Sequence, residues 1–195
     1  MSHRRALGRA RHHVPVELTT ARLLLRPFAP ADHELIHAVY SDPEVMRYVG
    51  HGAHETLAET ANALRIYGAV LARRGYSFLA VTERKTGALL GDGGLHPLGG
   101  QGPDVELGYT LARAAWGRGY ATELGRALVE HAFTALRAPR VVAQVEPANL
   151  ASRRVLEKLG MGAREQRVAY GRPHILYAID SATPRAEPRA LRLQR

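Results

Sequence analysis

Apolar residues recur along this chain with two distinct periods. Near the start, Leu18-Thr-Thr-Ala-Arg22-Leu-Leu-Leu-Arg26 is a β-prone run closed by Pro27 and Pro30, and it predicts one strand. Pro30-Ala-Asp32 opens a helix through Leu35, Ile36 and Val39, and Ser41-Asp-Pro43 ends it before a short turn through Met46. Leu57, Ala61, Leu64, Gly68 and Leu71 then fall at steps of 4, 3, 4 and 3, which predicts an amphipathic helix with those residues on its apolar face. Tyr76 to Thr82 and Ala88 to Leu95 flank Glu83-Arg-Lys-Thr-Gly87 and predict a hairpin, followed by a loop from Pro97 to Pro103.

The period changes to two at Val105. Val105, Leu107, Tyr109 and Leu111 share one face of a strand, while Glu106, Gly108 and Thr110 share the other, so a carboxylate is set opposite the apolar residues. After a glycine-rich turn, Ala121, Leu124, Leu128 and Ala132 mark a long helix, and Val141 to Val145 reads as a buried strand. Asn149 and Gly160 bracket a further helix as N-cap and C-terminal residues. Two last β runs, Glu165 to Tyr170 and His174 to Ile179, flank Gly171-Arg-Pro173. The order β, α, α, β, β, β, α, β, α, β, β predicts an α/β fold without internal repeats.

Charge alters this picture less than its sum suggests. The 195 residues carry +9 at neutral pH, but residues 1–13 hold four arginines and no acid, and residues 182–195 hold four arginines against Glu187. The body, residues 14–181, retains only +2, and both Arg-, Ala- and Pro-rich ends are expected to be disordered tails. The chain has no cysteine, which excludes disulfides, thiolate metal sites and a thioester acyl-enzyme. No segment reads as a secretory signal or a membrane span, so a cytoplasmic protein is expected.

The densest chemical signal is Leu111-Ala-Arg-Ala-Ala-Trp116-Gly-Arg-Gly-Tyr-Ala-Thr-Glu123, a strand end, a glycine turn and a helix start. Such a turn aims backbone N–H groups and the positive end of a helix dipole at one point, which suits a phosphate. A dinucleotide fingerprint would place its third glycine at Thr122, and no Gly-Lys-Ser/Thr follows to make a P-loop. A turn that only connects two elements has the same local composition.

Four separated segments resemble the GCN5-related N-acetyltransferase (GNAT) superfamily, and within it the RimJ/RimL-type branch. Leu18-Thr19 with Arg22-Leu23 and Leu25-Arg26 resembles the opening strand, and Glu106-Leu-Gly-Tyr109 the fourth. Trp116-Gly-Arg-Gly-Tyr-Ala-Thr-Glu123 resembles the acetyl-CoA loop, and Asn149-Leu-Ala-Ser152 with Leu156-Glu-Lys-Leu-Gly160 the last helix. The resemblance spans about Glu17 to Asp180. It implies a mixed, largely antiparallel twisted sheet of about seven strands flanked by helices. It also implies acetyl transfer from acetyl-CoA, as co-substrate and without a metal, to a primary amine.

The same resemblance assigns residues. The loop residues Trp116, Gly117, Arg118, Gly119, Tyr120, Ala121 and Thr122 would hold the pyrophosphate, backbone at Leu111 would pair with the pantetheine arm, and Arg113 and Arg153 would add charge. A Trp at the first loop position departs from the superfamily's Gln or Arg and is usual in the RimJ/RimL-type branch. Glu106 matches a general base, with Glu146 and His96 as weaker rivals. Ser152 matches the hydroxyl that hydrogen-bonds the CoA sulfur, and Asn149 a cofactor contact. Many relatives place a Tyr acid where Leu156 stands, so the acid role falls on Ser152 or on no residue. An oxyanion would be met by an N–H near Thr110 or Leu111. Read as structure alone, Glu106 is an exposed strand carboxylate, Asn149 an N-cap and Ser152 a first-turn residue.

Two rival functions come from other classes. His33-Glu34-Leu35-Ile36-His37 matches H-E-x-x-H, with Glu55 or Glu59 as a third ligand of a zinc hydrolase. The Arg-rich tails suggest a non-catalytic ribosome- or nucleic-acid-binding protein. For the acetyltransferase, the acceptor is either a protein N-terminal α-amine, as in ribosomal-protein modifiers, or a small amine that Glu55 and Glu59 would suit. A Lys-like amine near pKa 10.4 is neutral far less often at pH 7 than an α-amine near 8, so it depends more on a base. The chain's state, monomer or homodimer, stays open.

Overall fold

A computed structural model of the chain describes residues 17–100 and 103–182. The tail read at residues 1–13 lies outside the described residues, as does that at 182–195 apart from residue 182. Among the described residues, eight strands and five α-helices follow one another as β1 (Leu18–Thr19), β2 (Leu23–Arg26), α1 (Asp32–Tyr40), α2 (Pro43–Met46), α3 (Leu57–Arg74), β3 (Phe78–Glu83), β4 (Leu89–Pro97) and β5 (Val105–Leu111), then α4 (Tyr120–Thr134), β6 (Arg140–Val145), α5 (Leu150–Lys158), β7 (Gly162–Ala169) and β8 (Arg172–Asp180). One sheet runs β1-β2-β3-β4-β5-β6-β8-β7 and is antiparallel except where β5 meets β6. The expected fold class is therefore the observed one.

The alternation in β5 partitions the two layers. Leu107 and Leu111 join Leu124, Leu128, Val141 and Leu156 in a core between the sheet and α4 and α5. Ile36, Val39, Tyr40, Val45, Met46 and Leu64 form a second cluster under α1, α2 and α3 on the other face. Removing each such side chain from water contributes roughly 1.5–3 kcal/mol, so the period-two pattern is enforced from both sides.

Two expectations needed correction. The first strand is two: Thr20 N–H donates to the Leu23 carbonyl (2.9 Å) and Leu23 N–H to Thr20 Oγ1 (2.9 Å), turning the chain between β1 and β2. Glu123 of α4 holds that turn by accepting from Thr20 Oγ1 (2.5 Å), Arg22 N–H (2.8 Å) and Arg22 Nε (2.6 Å). A contact about a hundred residues away in sequence thus splits a run whose local propensity is continuous. In α3, Thr60 and Leu64 are buried and Tyr67 half-buried, whereas Leu57 and Gly68 face solvent. The helix is rotated from its purely apolar face because Thr60 Oγ1 meets His37 Nδ1 and His54 Nδ1 (2.9 Å each). It starts on the Thr56/Glu59 capping box and ends on Gly75 in the left-handed conformation.

Candidate active site

The parallel step in the sheet is where the site opens. β5 and β6 pair only at Val105↔Val141 and Glu106↔Val142, so the remaining length of the two strands is splayed. A cavity of about 150 Å³ lies there, lined by Glu106, Leu107 and Tyr109 of β5 and Ala143, Gln144 and Val145 of β6. Asn149, Ser152 and Leu156 of α5 line it too, with Tyr48, Val49 and Gly50 from the loop after α2, and Tyr170 and His174 from the β7–β8 hairpin. Glu106 of β5 and Ser152 of α5, both singled out from the sequence, thus line one cavity.

Glu106 accepts a hydrogen bond from Gln144 Nε2 (2.9 Å), which orients its carboxylate. Neither rival base lines the cavity. His96 stands opposite Glu106 in the ladder, but its Nδ1 turns to the Pro97 carbonyl (3.1 Å) and its ring stacks on Phe78, while Glu146 pairs with Arg172 (2.7 Å). Phe78 also explains Gly108: a Cβ there would lie 2.8 Å from the Phe78 ring.

On the α5 side, Asn149 Oδ1 accepts from Ser152 N–H (3.1 Å), so Asn149 caps the helix while lining the cavity. The Tyr109 hydroxyl donates to Ser152 Oγ (3.3 Å), a contact that the motif reading missed. Burial pushes the Tyr109 phenol up despite the stabilising Ser152 hydroxyl, so it keeps its proton at neutral pH. Tyr109 lies on the apolar side of the alternating strand, where its ring packs against the core and its hydroxyl reaches Ser152.

The glycine turn sits at the start of α4. Gly119, the N-cap, is left-handed (φ 78°) and no side chain caps the helix, so N–H groups of its first turn are open to an anion; Gly117 is also left-handed (φ 70°). The loop is braced from outside. Arg22 donates to the Arg118 carbonyl (2.9 Å), and Arg22 and Arg118 stack on the Tyr120 ring at 4.4 and 4.9 Å. Tyr120 hydrogen-bonds Glu83, which also pairs with Arg118 (3.4 Å). Trp116 is 47% exposed and its indole N–H donates to the Leu111 carbonyl (2.7 Å), tying the loop to the end of β5. The backbone and glycines fit a pyrophosphate. Of the arginines named for charge, Arg113 pairs with Asp42 (2.9 Å), and Arg153 donates to the Tyr177 hydroxyl (3.2 Å) and the Pro147 carbonyl (3.1 Å). Thr122 and Gly119 also border a larger shallow trough of about 620 Å³ beside Arg126 and Lys158, which none of Glu106, Tyr109 or Ser152 lines.

This strand splay, with a glycine turn entering a helix beside it, coincides with a family match. The family model described as "Acetyltransferase (GNAT) domain" matches residues 22–162. The chain belongs to the GNAT acetyltransferase family. It is therefore an acyltransferase, and the family's co-substrate is acetyl-CoA. Among curated proteins it is 32% identical over 143 residues to "Uncharacterized N-acetyltransferase YoaA" of Bacillus subtilis (strain 168), covering 73% of this chain and 81% of that protein. Among solved structures it resembles a GNAT-family acetyltransferase from Bacillus anthracis (TM-score 0.75, 26% identity, 86% of this chain and 100% of that one). It also resembles an acetyltransferase from Agrobacterium tumefaciens str. C58 (TM-score 0.71, 30% identity, 88% and 99%).

Membership in this family absorbs the H-E-x-x-H segment into the acetyltransferase domain. His37 spends its Nδ1 on Thr60, Glu59 is occupied by the capping box, and among the described residues no three His, Asp or Glu side chains gather to hold a metal. Glu55 and Glu59, offered as acceptor contacts, do not line the cavity. No helix among the described residues is long and apolar enough to cross a membrane.

A buried carboxylate was missed altogether. Asp92 of β4 lies opposite Thr110 of β5, is 1% exposed, and is pushed up to about 7 by burial. Thr110, through its hydroxyl and backbone, and the Tyr40 hydroxyl face it and partly offset that burial. Neither Asp92 Oδ1 nor the Tyr40 hydroxyl makes a well-formed hydrogen bond.

Proposed function

We propose that the chain transfers acetyl from acetyl-CoA to the primary amine of a small cationic molecule, with Glu106 as base and Ser152, backed by Tyr109, at the leaving sulfur. The observation that carries this reading is the splay of β5 from β6, which brings Glu106, Tyr109 and Ser152 to one cavity. The ammonium nitrogen would lose one proton to Glu106 and attack the thioester carbon, forming the C–N bond as the C–S bond breaks, and the proton that the new amide nitrogen then sheds would end on the departing thiolate as CoA–SH. The departing sulfur would be met by a hydrogen bond from the Ser152 hydroxyl, which itself accepts one from the Tyr109 O–H. The pyrophosphate would rest on backbone from Gly117 to Thr122, with Asn149 beside the pantetheine arm and the end of β5 at Leu111 pairing with it.

A carboxylate in a small cavity supports the cationic acceptor, because an alkylammonium ion is neutral at pH 7 only about once in several thousand. A protein α-amine is the second reading, favoured by Trp116 in the first loop position, which supports the RimJ/RimL-type branch. The test is CoA release, read with a thiol reagent, across polyamines, aminoglycosides and N-terminal peptides. The cysteine-free chain adds no thiol background. Turnover is expected with an amine of the first two classes. Turnover with peptides alone would favour the second reading, and neither turnover nor acetyl-CoA binding would sink both.

A further inference from the structure

The β7–β8 hairpin turns on Tyr170 and Gly171, both left-handed (φ 51° and 73°). A two-residue hairpin loop of this hand favours Asn or Gly at both places, and a bulky aromatic there is unusual. Tyr170 is half-exposed, lines the cavity, and packs edge-on to His51 at 5.5 Å and against His174 at 6.0 Å. The backbone conformation therefore presents an aromatic ring at the mouth.

Arg172, immediately after the turn, holds this arrangement. One guanidinium nitrogen donates to the Arg47 carbonyl (2.9 Å), the other to the Gly50 carbonyl (2.8 Å), and the first also pairs with Glu146 Oε1 (2.7 Å). The two carbonyls bracket Tyr48 and Val49, which with Gly50 form one wall, and Tyr170 and His174 flank Arg172 on the other. Glu146 continues β6 directly from Val145, a third lining segment. A planar fork with several fixed donors spans these acceptors in a way that a single ammonium cannot. None of Arg172's side-chain partners belongs to the Gly117–Thr122 loop or to α5; the one link toward α5 is the Glu146 carbonyl, which accepts from Asn149 N–H (2.9 Å).

We propose that Arg172 is the positioning residue of the acceptor wall: it clasps the α2 loop, the end of β6 and the β7–β8 hairpin into one rim, and through Tyr48 and Tyr170 sets how tightly the amine is held. This rests on the acetyl-transfer reading for its kinetic test only. In Arg172→Ala the acceptor KM is expected to rise at least about tenfold while the acetyl-CoA KM stays within about twofold. Arg172→Lys, which keeps the charge opposite Glu146 but not the fork, should recover part of the loss. Amide hydrogen exchange at residues 47–50 of the same variants should accelerate about tenfold. Should Arg172→Ala fail to fold, Glu146→Ala, which removes one of the three partners, should give the same changes at smaller size. An unchanged acceptor KM, equal rises in both KM values, or unchanged exchange at 47–50 would overturn the clasp. Absence of transfer by the wild type would instead sink the acetyl-transfer reading, and the exchange measurement would still decide the clasp.

Discussion

The two halves of the site are built from different materials. The half proposed for the cofactor is backbone: a left-handed Gly119, an uncapped helix start and a loop braced by Arg22, Glu83 and Glu123. The half proposed for the acceptor is side chains, with Glu106, Gln144, Tyr48, Tyr170 and His174 arriving at one cavity from four elements and loops far apart in sequence. Backbone recognition needs contiguous residues with particular torsions, and so it writes a local motif. Side-chain recognition needs only convergence, and it leaves no such mark.

That contrast is open to attack by substitution. Glu106→Gln carries the largest expected effect, a fall in kcat of roughly 10²–10⁴-fold with acetyl-CoA binding unchanged, checked by steady-state rates beside calorimetric titration. A comparable loss of acetyl-CoA affinity would show that the halves are not separable.

Asp92 stands on β4 opposite Thr110 of β5, away from the cavity, and its effect is on stability. Its folded pKa, raised to about 7, exceeds the ordinary carboxylate value, so the protonated form is favoured by folding. That contribution is complete below about pH 4 and is lost as the pH rises to about 7, a difference on the order of a few kcal/mol. Asp92→Asn cannot titrate and should lose less Tm than the wild type between pH 4 and 8, measured by thermal scans. Parallel Tm curves would place the carboxyl in a wetter setting.

Gly119→Ala tests the backbone half: at φ 78° a Cβ costs about 1–2 kcal/mol, and acetyl-CoA KM should rise about tenfold with acceptor KM unchanged. The smallest effect is expected of Tyr109→Phe, which deletes the donor to Ser152 and should lower kcat several-fold, by about 1 kcal/mol of a lost hydrogen bond. Equal kcat in the two proteins would leave Ser152 acting without Tyr109.

Legibility followed the same division. Strand β5 was readable from the alternation of Val105 to Leu111, α5 from Asn149 and Gly160, and the loop from Gly117 and Gly119, because each depends on neighbours within one or two turns of chain. The β1–β2 break was not readable, since Glu123 makes it from α4, nor was the true face of α3, since Thr60 is buried to meet two histidines. Arg172 gave no signal in a Gly-Arg-Pro turn whose importance lies 125 residues away at the Arg47 carbonyl.

By itself the amino-acid order determined the α/β class, most of the element order and the position of the backbone loop, because hydrophobic period and glycine torsions are local properties. The tertiary structure decided where β5 and β6 part, which carboxylates face a cavity, which lies buried, and which arginine fastens the rim. These depend on the order of strands in the sheet, and distances across a sheet are fixed by packing of the whole chain rather than by any window of it.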